Sequence, residues 1–207
     1  MKVTLIGASG NAGSRILHEL ESRGHEVTAV VRNPEKLGAG VKSRRDDLSS
    51  IDQIAKTISG ADAVVSAYAP PPGDTDQLIP VTGRLIEAVR KAGGPRLIVV
   101  GGAASLEVAP GVTLLASGHL PEAWVSIATS HAKVLELLKA SDINWTYFSP
   151  AAFFEPGVRT GKFRLGKDSL MVDAKGESRI SLEDYAIALV DELEKPAHIR
   201  SRFTIGY

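Results

Sequence analysis

Three glycines, Gly7, Gly10 and Gly13, lie between a β-rich run at residues 3–6 and an apolar helical face that ends near Arg23. Small residues at this spacing permit a tight turn, close approach of the backbone to a pyrophosphate, and close packing of helix on strand. Glycine strings also occur by chance in loops, where they mark only a strand-to-helix turn. The flanking strand and helix favour nucleotide binding. The predicted phosphate-binding residues are Gly7, Ala8, Ser9, Gly10, Asn11, Ala12 and Gly13.

Short β-rich runs alternate with helical segments along the first half of the chain, a pattern typical of a parallel sheet with crossover helices. The runs lie at residues 3–6, 27–31, 61–67 and 97–100, with a weaker one from Val41 and later ones at 145–148 and 202–207. We therefore expect a Rossmann-type, doubly wound α/β fold with a mainly parallel sheet and helices on both faces. The predicted organisation is one NAD(P)-binding domain over residues 1–207, with substrate-side loops mainly at 102–130 and 150–180.

Helix starts are indicated by side chains that can accept hydrogen bonds from a first turn. Ser49 with Asp52, and Ser181 with Asp184, have the spacing of capping boxes. A further helix is predicted over residues 132–140, and the residues from 101 to 126 are expected to form a loop rich in glycine and alanine.

The overall composition excludes several classes of protein. Lys plus Arg equals Asp plus Glu at 24 each, so no nucleic-acid or anionic-membrane partner is expected. There is no Cys, which removes disulfides and thiolate chemistry, and no His spacing predicts a metal site. No apolar run approaches the ~20 residues of a membrane span, and no signal peptide is visible. A cytoplasmic protein, monomer or homodimer, is expected.

Arg32 occupies the end of the second strand, where NAD-specific folds carry an acidic residue that binds the ribose 2′-hydroxyl. A guanidinium there would attract a 2′-phosphate and stack on adenine. We therefore predict NADPH as the cofactor, with NADH less favoured. Arg15 and Lys36 could add charge to the same pocket or be solvated surface cations.

Asp47 and Leu48 follow the third strand, where such folds often contact adenine, with the carboxylate accepting from its amino group. Asp46 and Asp47 could equally be solvated acids of a loop. Both alternatives remain open from the sequence.

Several stretches resemble the atypical short-chain dehydrogenase/reductases of the NAD(P)H-binding, NADH–flavin reductase-like family, which is related to biliverdin IXβ/flavin reductase and to NmrA-like proteins. The matching segments are residues 7–13, 30–34, 97–103, 144–150, 159–166 and 184–186. The resemblance implies a seven- or eight-stranded sheet in the order 3-2-1-4-5-6-7. It also implies a nicotinamide site above the ends of strands four, five and six. The residues at those ends are Ala67, Tyr68, Ala69, Gly101, Gly102, Ala103, Ser149, Pro150 and Ala151.

Ordinary short-chain dehydrogenases use a Tyr four residues before a Lys, because the ammonium lowers the pKa of the phenol. Lys133 stands in about the right place, but Thr129 occupies the position of the Tyr. A conventional alcohol or carbonyl dehydrogenase, or an epimerase, is therefore disfavoured. A conjugated acceptor such as a flavin or quinone needs less help from a positioned acid, since its charge is delocalised.

The predicted function is therefore an NAD(P)H-dependent reductase of such an acceptor. The alternative is an NADPH-binding sensor or regulatory protein with little catalysis. Hydroxyls and imidazoles could donate to a developing anion, and each has a structural alternative such as helix capping. The candidates are Ser105, Thr129 and His131, with His119 and Ser130 behind them. Arg159, Lys162 and Arg164 could receive an acidic acceptor or simply be solvated.

Overall fold

The computed structural model describes all 207 residues, which form twelve strands and five helices. The strands are β1 (Lys2–Ile6), β2 (Glu26–Val31), β3 (Ser43–Arg45), β4 (Ala63–Ser66), β5 (Arg96–Val100), β6 (Glu107–Ala109), β7 (Val112–Thr113), β8 (Trp145–Ser149), β9 (Phe153–Glu155), β10 (Arg164–Gly166), β11 (Arg179–Ser181) and β12 (Ser201–Gly206). The helices are α1 (Asn11–Ser22), α2 (Ile51–Ile58), α3 (Leu78–Lys91), α4 (Glu122–Ala140) and α5 (Leu182–Glu194). Single 3₁₀ turns cover Pro34–Lys36 and Thr75–Gln77.

Eight strands form one sheet in the order β10-β12-β8-β5-β4-β1-β2-β3. Seven of them, from β12 to β3, are parallel, and β10 pairs antiparallel with β12 at the edge. The predicted Rossmann-type class is confirmed. The predicted order differs in detail because residues 164–166, expected in a loop, add the antiparallel edge strand. Such a strand needs no crossover helix, so helical periodicity does not reveal it.

The helices cover both faces of the sheet and create two cores. On one face α1 and α5 pack their apolar sides on the sheet, with Leu20 and Leu189 fully buried. On the other face α2, α3 and α4 do the same, with Leu85 and Val134 fully buried. Because both faces of the central strands are covered, β1, β2, β4 and β5 are mainly apolar, whereas the short edge strand β3 is polar and largely exposed.

Two helix boundaries differ from the sequence prediction. The cap of α2 is Ser50, whose hydroxyl accepts from the amide of Gln53, so the capping position predicted at Ser49 was wrong by one residue. Helix α4 begins at Glu122, ten residues before the predicted start at Ala132. Ser130 is therefore interior to α4, and its hydroxyl donates to the carboxylate of Asp76 at 3.0 Å. At α5 the prediction was right, because the Ser181 hydroxyl accepts from the amide of Asp184.

Parallel pairing brings the carboxyl ends of the central strands to one edge of the sheet. Ile6 at the end of β1 lies opposite Val30 of β2 on one side and Ser66 of β4 on the other. The strand order reverses direction here, because β2 lies to one side of β1 and β4 to the other. Ligands of open α/β sheets bind in the crevice at such a point. None of the five helices combines the length and apolar character that a membrane-spanning segment needs.

Candidate functional site

The turn from β1 into α1 is a close contact of backbone on backbone. Gly7 has φ +78°, and a Cβ there would lie 2.4 Å from the carbonyl oxygen of Ala67. A Cβ at Gly13 would lie 2.1 Å from the carbonyl oxygen of Gly7. The amide of Gly7 donates to the carbonyl oxygen of Val30 at 2.9 Å, which fixes the turn against β2. Glycine is therefore required at positions 7 and 13 by geometry.

The N-terminus of α1 is free to receive an anion. Gly10, at the N-cap, has no side chain that could accept from the first-turn amides, and the first turn holds no acidic residue. The first-turn amides of α1 therefore have no side-chain hydrogen-bond acceptor, and no carboxylate offsets the positive end of the helix dipole. This arrangement fits a pyrophosphate group, and the glycines leave the space that its approach requires.

A cleft of about 290 Å³ opens beside this turn, at the ends of β1, β2, β3 and β4. Its volume is at the lower end of the ~300–1,000 Å³ typical of small-molecule sites, so it suits one half of a dinucleotide. Thirteen residues line it, and nine of them had been predicted from the sequence. These nine are Gly7, Ser9, Gly10, Arg32, Asp47, Leu48, Ala67, Tyr68 and Ala69.

Four lining residues had not been assigned to the site: Ile6, Val30, Val31 and Asp46. The first three are the last residues of β1 and β2, so their position at strand ends was a usable signal. From the sequence, Asp46 is indicated only as a possible acid of a loop. Its burial depends on the pairing of β3 with β2, which the short third strand does not reveal in the sequence.

Asp46 and Asp47 differ sharply in environment. Asp46 is buried, its Oδ1 accepts from the amide of Leu48 at 2.7 Å, and its Oδ2 is buried without a partner. Asp47 is exposed, and hydrogen bonds from the hydroxyl and amide of Ser49 lower its pKa. Leu48 itself has φ +62°, and Arg84 donates to its carbonyl oxygen at 2.6 Å. A buried polar atom without a partner beside a strained residue is typical of a ligand site.

Arg32 lies at the rim of the cleft, exposed and with no hydrogen bond or ion pair to the protein. Tyr68 lines the opposite side, and burial raises the pKa of its phenol while Arg32 opposes that shift. The unpaired guanidinium is therefore available to a ligand.

Arg15 lies outside this cleft. Its Nε donates to the carboxylate of Glu183 on α5 at 3.1 Å, and it lines a separate groove between α1 and α5. The same groove holds Glu19, whose buried carboxylate accepts from Arg23 and Arg159. Of the predicted turn residues, Ala8 is fully buried, and Asn11 and Ala12 begin α1 without lining the cleft.

Gly101 and Gly102, predicted to lie against the nicotinamide, are tightly packed by other parts of the protein. A Cβ at Gly101 would lie 2.4 Å from the ring of Tyr147, and one at Gly102 would lie 2.9 Å from the ring of His131. The Tyr147 hydroxyl accepts from the amide of Gly102 at 3.0 Å and donates to the His131 carbonyl oxygen at 3.1 Å. These contacts explain both glycines by packing, which is compatible with a flat ring above them. Ala103 is half-buried beside them.

The end of β8 is closed to solvent. Ser149, Pro150 and Ala151 are all buried, and the Ser149 hydroxyl has no hydrogen-bond partner. These three residues, predicted to lie at the nicotinamide site, do not line the cleft around the glycine turn.

The three predicted catalytic side chains do not meet at a single site. His131 packs against Gly102, and burial lowers its pKa to about 4. The Ser105 hydroxyl accepts from Arg202 at 2.9 Å, and the Thr129 hydroxyl donates to the carbonyl oxygen of Val125 in its own helix. Both Ser105 and Thr129 line a second, mainly apolar depression that shares no residue with the cleft. Of the three, only His131 adjoins the predicted nicotinamide region.

Two of the basic residues predicted to receive an acidic acceptor form hydrogen bonds to other residues of the protein. Arg159 donates twice to Glu19, and Arg164 donates to the carbonyl oxygen of Val172. The intervening turn is held by Asp184, which accepts from the amides of Thr160 and Gly161, both at 2.8 Å. Burial alone would raise the pKa of Asp184, but hydrogen bonds from the Thr160 hydroxyl, these two amides and the Tyr207 hydroxyl lower it. The loop therefore has a fixed structural role.

The NAD(P)H-binding family model matches residues 7–196, which is most of the chain. The chain belongs to the NAD(P)H-binding family. The cofactor of the family is a nicotinamide dinucleotide, in agreement with the glycine turn. The uncharacterized protein YwnB of Bacillus subtilis (strain 168) is 42% identical over 214 residues, covering 99% of this chain and 98% of that protein.

Solved structures of other proteins share the fold of this chain. One is named "putative epimerase", from Bacteroides thetaiotaomicron, with a TM-score of 0.93 and 48% identity over 100% of this chain and 96% of that one. Another is named "putative NADH-flavin reductase", from Streptococcus pneumoniae TIGR4, with a TM-score of 0.90 and 36% identity over 100% and 99%. A third, named "putative exported protein", from Burkholderia pseudomallei, has a TM-score of 0.92 and 45% identity over 100% of both chains.

Proposed function

We propose that this member of the NAD(P)H-binding family is an NADPH-dependent reductase that passes a hydride to a flavin, a quinone or a similar conjugated acceptor. The observation that carries the cofactor preference is Arg32, exposed and unpaired at the rim of the cleft. An acidic residue at the end of β2 would favour the ribose diol of NADH, and none stands there.

The residues of the cleft have separable tasks. The turn from Gly7 to Gly13 and the free amides of α1 hold the pyrophosphate, and Arg32 meets the 2′-phosphate. The unpartnered, buried Oδ2 of Asp46 is suited to accept from the adenine amino group, and it is a better candidate than Asp47, which is exposed and has no buried oxygen to satisfy. Binding would then satisfy a buried oxygen that is otherwise costly.

The nicotinamide, when bound, supplies two electrons and a proton as hydride. The protein's part at that end is orientation and exclusion of water, since Gly101, Gly102 and Ala103 offer a flat backbone surface. His131 beneath this surface is neutral at physiological pH, because burial lowers its pKa to about 4. It can therefore shape the surface but has no proton to give as an imidazolium. Water supplies the second proton that the reduced acceptor takes up.

The acceptor class follows from what the protein lacks. A carbonyl substrate needs a positioned acid, and short-chain dehydrogenases use a Tyr near a Lys for this. Here Thr129 stands in that place with its hydroxyl bonded to the helix backbone, and Tyr147 and Tyr185 are fully buried. Tyr68 lines the cleft but has Pro72, not a Lys, four residues after it. The epimerase name of the Bacteroides protein belongs to that protein, and epimerases of this fold need the same Tyr.

The experiment is oxidation of NADPH and of NADH by purified protein across flavins, quinones and simple carbonyls, followed by the absorbance of the reduced nicotinamide. Turnover is expected with ring acceptors, and NADPH should be preferred. Arg32→Asp should reverse that preference, because it replaces a phosphate-binding guanidinium with an acceptor for the ribose diol.

The outcomes separate the alternatives. Turnover of carbonyls alone would contradict the acceptor class, and unchanged NADPH affinity in Arg32→Asp would contradict the role of Arg32. Tight binding of NADPH with no turnover of any acceptor would replace the reductase by a cofactor-binding sensor.

A further inference from the structure

We propose that Arg45 is the second arm of the 2′-phosphate site, so that the phosphomonoester is held between two guanidiniums, Arg32 from the end of β2 and Arg45 from the end of β3. This inference rests on the proposed NADPH preference and adds the residue that would set its strength.

The register of the sheet brings the two side chains together. Arg45 lies opposite Val31 in the parallel pairing of β3 with β2, and Arg32 follows Val31 directly. The amide of Asp46 donates to the Val31 carbonyl oxygen at 3.1 Å, which extends the pairing past the end of β3. The position of Arg45 relative to Arg32 is therefore fixed by backbone hydrogen bonds.

Both arginines line one depression next to the cleft. Its seven lining residues include no hydrophobic one, so it suits a charged group and not a ring. Beside the two arginines it offers the neutral donors of Asn33, Ser49 and Gln53. The depression and the cleft share Arg32, Asp46 and Asp47, so a ligand can extend from one into the other.

Neither arginine is committed elsewhere. Arg32 and Arg45 are exposed and make no hydrogen bond or ion pair within the protein, in contrast to Arg15, Arg23, Arg84 and Arg96. Two carboxylates, those of Asp46 and Asp47, also border the depression, and each accepts a hydrogen bond from a neighbouring amide. The carboxylates offset the local positive charge, so the depression needs two guanidiniums to favour a dianion. Two planar forks can each bind the phosphate through paired hydrogen bonds.

Arg44 provides a matched control. It neighbours Arg45 on β3 and is equally exposed and unpaired, and both arginines border a further depression that does not include Arg32. Arg44 does not line the depression that holds Arg32 and Arg45. Replacing Arg44 removes the same charge from nearly the same place on the chain.

The test is calorimetric binding of adenosine 2′,5′-bisphosphate and adenosine 5′-monophosphate to the full chain and to Arg45→Gln, Arg44→Gln and Arg32→Gln. Loss of a charge-assisted hydrogen-bonding partner corresponds to about tenfold or more in affinity. Arg45→Gln should bind the bisphosphate at least about tenfold more weakly than the unsubstituted protein does, and its affinity for the monophosphate should change little. The affinity of Arg44→Gln for both nucleotides should stay within about threefold of that of the unsubstituted protein. The bisphosphate affinity of Arg45→Lys should lie between those of Arg45→Gln and the unsubstituted protein, because lysine keeps the charge without the paired donors of a guanidinium.

The failures are distinguishable. If Arg32→Gln loses bisphosphate affinity while Arg45→Gln keeps it, the second arm is overturned and the NADPH preference stands. If Arg44→Gln loses as much as Arg45→Gln, the effect is general electrostatics and the clamp is overturned. If the full chain binds both nucleotides equally, the NADPH preference itself fails, and Arg45 fails with it.

Discussion

A side-chain carbon on Gly13 would lie 2.1 Å from the carbonyl oxygen of Gly7. The obstacle is backbone, which cannot rotate away as a flexible side chain could. The start of α1 therefore rests directly on the turn that leaves β1, and any side chain at position 13 separates the two.

Gly13→Ala should destabilise the protein and weaken cofactor binding together. Overpacking of this kind typically costs ~1–3 kcal/mol, and the displaced turn would misplace the α1 amides. Gly83→Ala is the control, because Gly83 lies within α3 with nothing within 4 Å of an added Cβ. That control should gain ~0.5–1 kcal/mol from helix propensity. Thermal unfolding with and without NADPH measures both effects, and a Gly13→Ala variant as stable as the original would contradict the prediction.

Asp46 should have two separable roles, one in stability and one in binding. Asp46→Ala removes the acceptor for the Leu48 amide and should cost ~1–3 kcal/mol, since Leu48 is held at φ +62°. Asp46→Asn keeps an acceptor oxygen, so its stability should be near the original while its affinity for adenosine 5′-monophosphate falls. Asp47→Asn is the exposed control and should change neither. Urea unfolding and calorimetry give the two readouts; equal binding by Asp46→Asn and the original would remove the adenine role.

His131 should make the protein acid-sensitive without affecting its activity near neutrality. Burial lowers its pKa to about 4, below the ~6.5 of an unfolded chain. The unfolded state therefore takes up a proton first, and stability should fall as pH drops from about 6.5 toward 4. His131→Gln should flatten the unfolding free energy over that range. Between about pH 6 and pH 8 the turnover rate should show no inflection due to His131, and an inflection that vanishes in His131→Gln would contradict this.

The buried pair of Arg96 and Glu192 should be expensive to break. Arg96 donates to the carboxylate and carbonyl oxygens of Glu192, and His198 donates to the same carboxylate. Arg96→Met leaves a buried charge short of a partner and should cost ~3–5 kcal/mol. Adding Glu192→Gln should restore part of that loss. Lys91→Met breaks the exposed pair with Asp52 and should cost at most about 1 kcal/mol. Urea unfolding of the four proteins tests the order, and equal costs for Arg96→Met and Lys91→Met would refute it.

Local patterns predicted much of this protein. The glycine turn and Arg32 are each encoded within a few neighbouring residues, so local spacing predicted that they lie together, and both line the cleft. The residues at the strand ends came from the family resemblance. The sheet class followed because buried parallel strands read as apolar runs.

What the sequence did not reveal depends on distant partners. Arg15 appeared available for a phosphate, but it pairs with Glu183, which is 168 positions away. The burial of Asp46 and the approach of Arg45 to Arg32 depend on the register of the three-residue strand β3. The first turns of α4 expose Trp124 and Val125, which obscured their helical periodicity.

The ion pairs from α1 to the second half of the chain, Arg15 with Glu183 and Glu19 with Arg159, bear on protein engineering. A chimera that exchanges the nucleotide-binding half between relatives would bring a foreign α1 against α5 and the loop at residues 157–161. A crossover that ignores these pairs would leave Glu183 and Arg159 of this chain without their partners on α1. Cofactor specificity is therefore better exchanged by substitutions at the ends of β2 and β3, where the side chains are exposed and the contact of α1 with α5 is not disturbed.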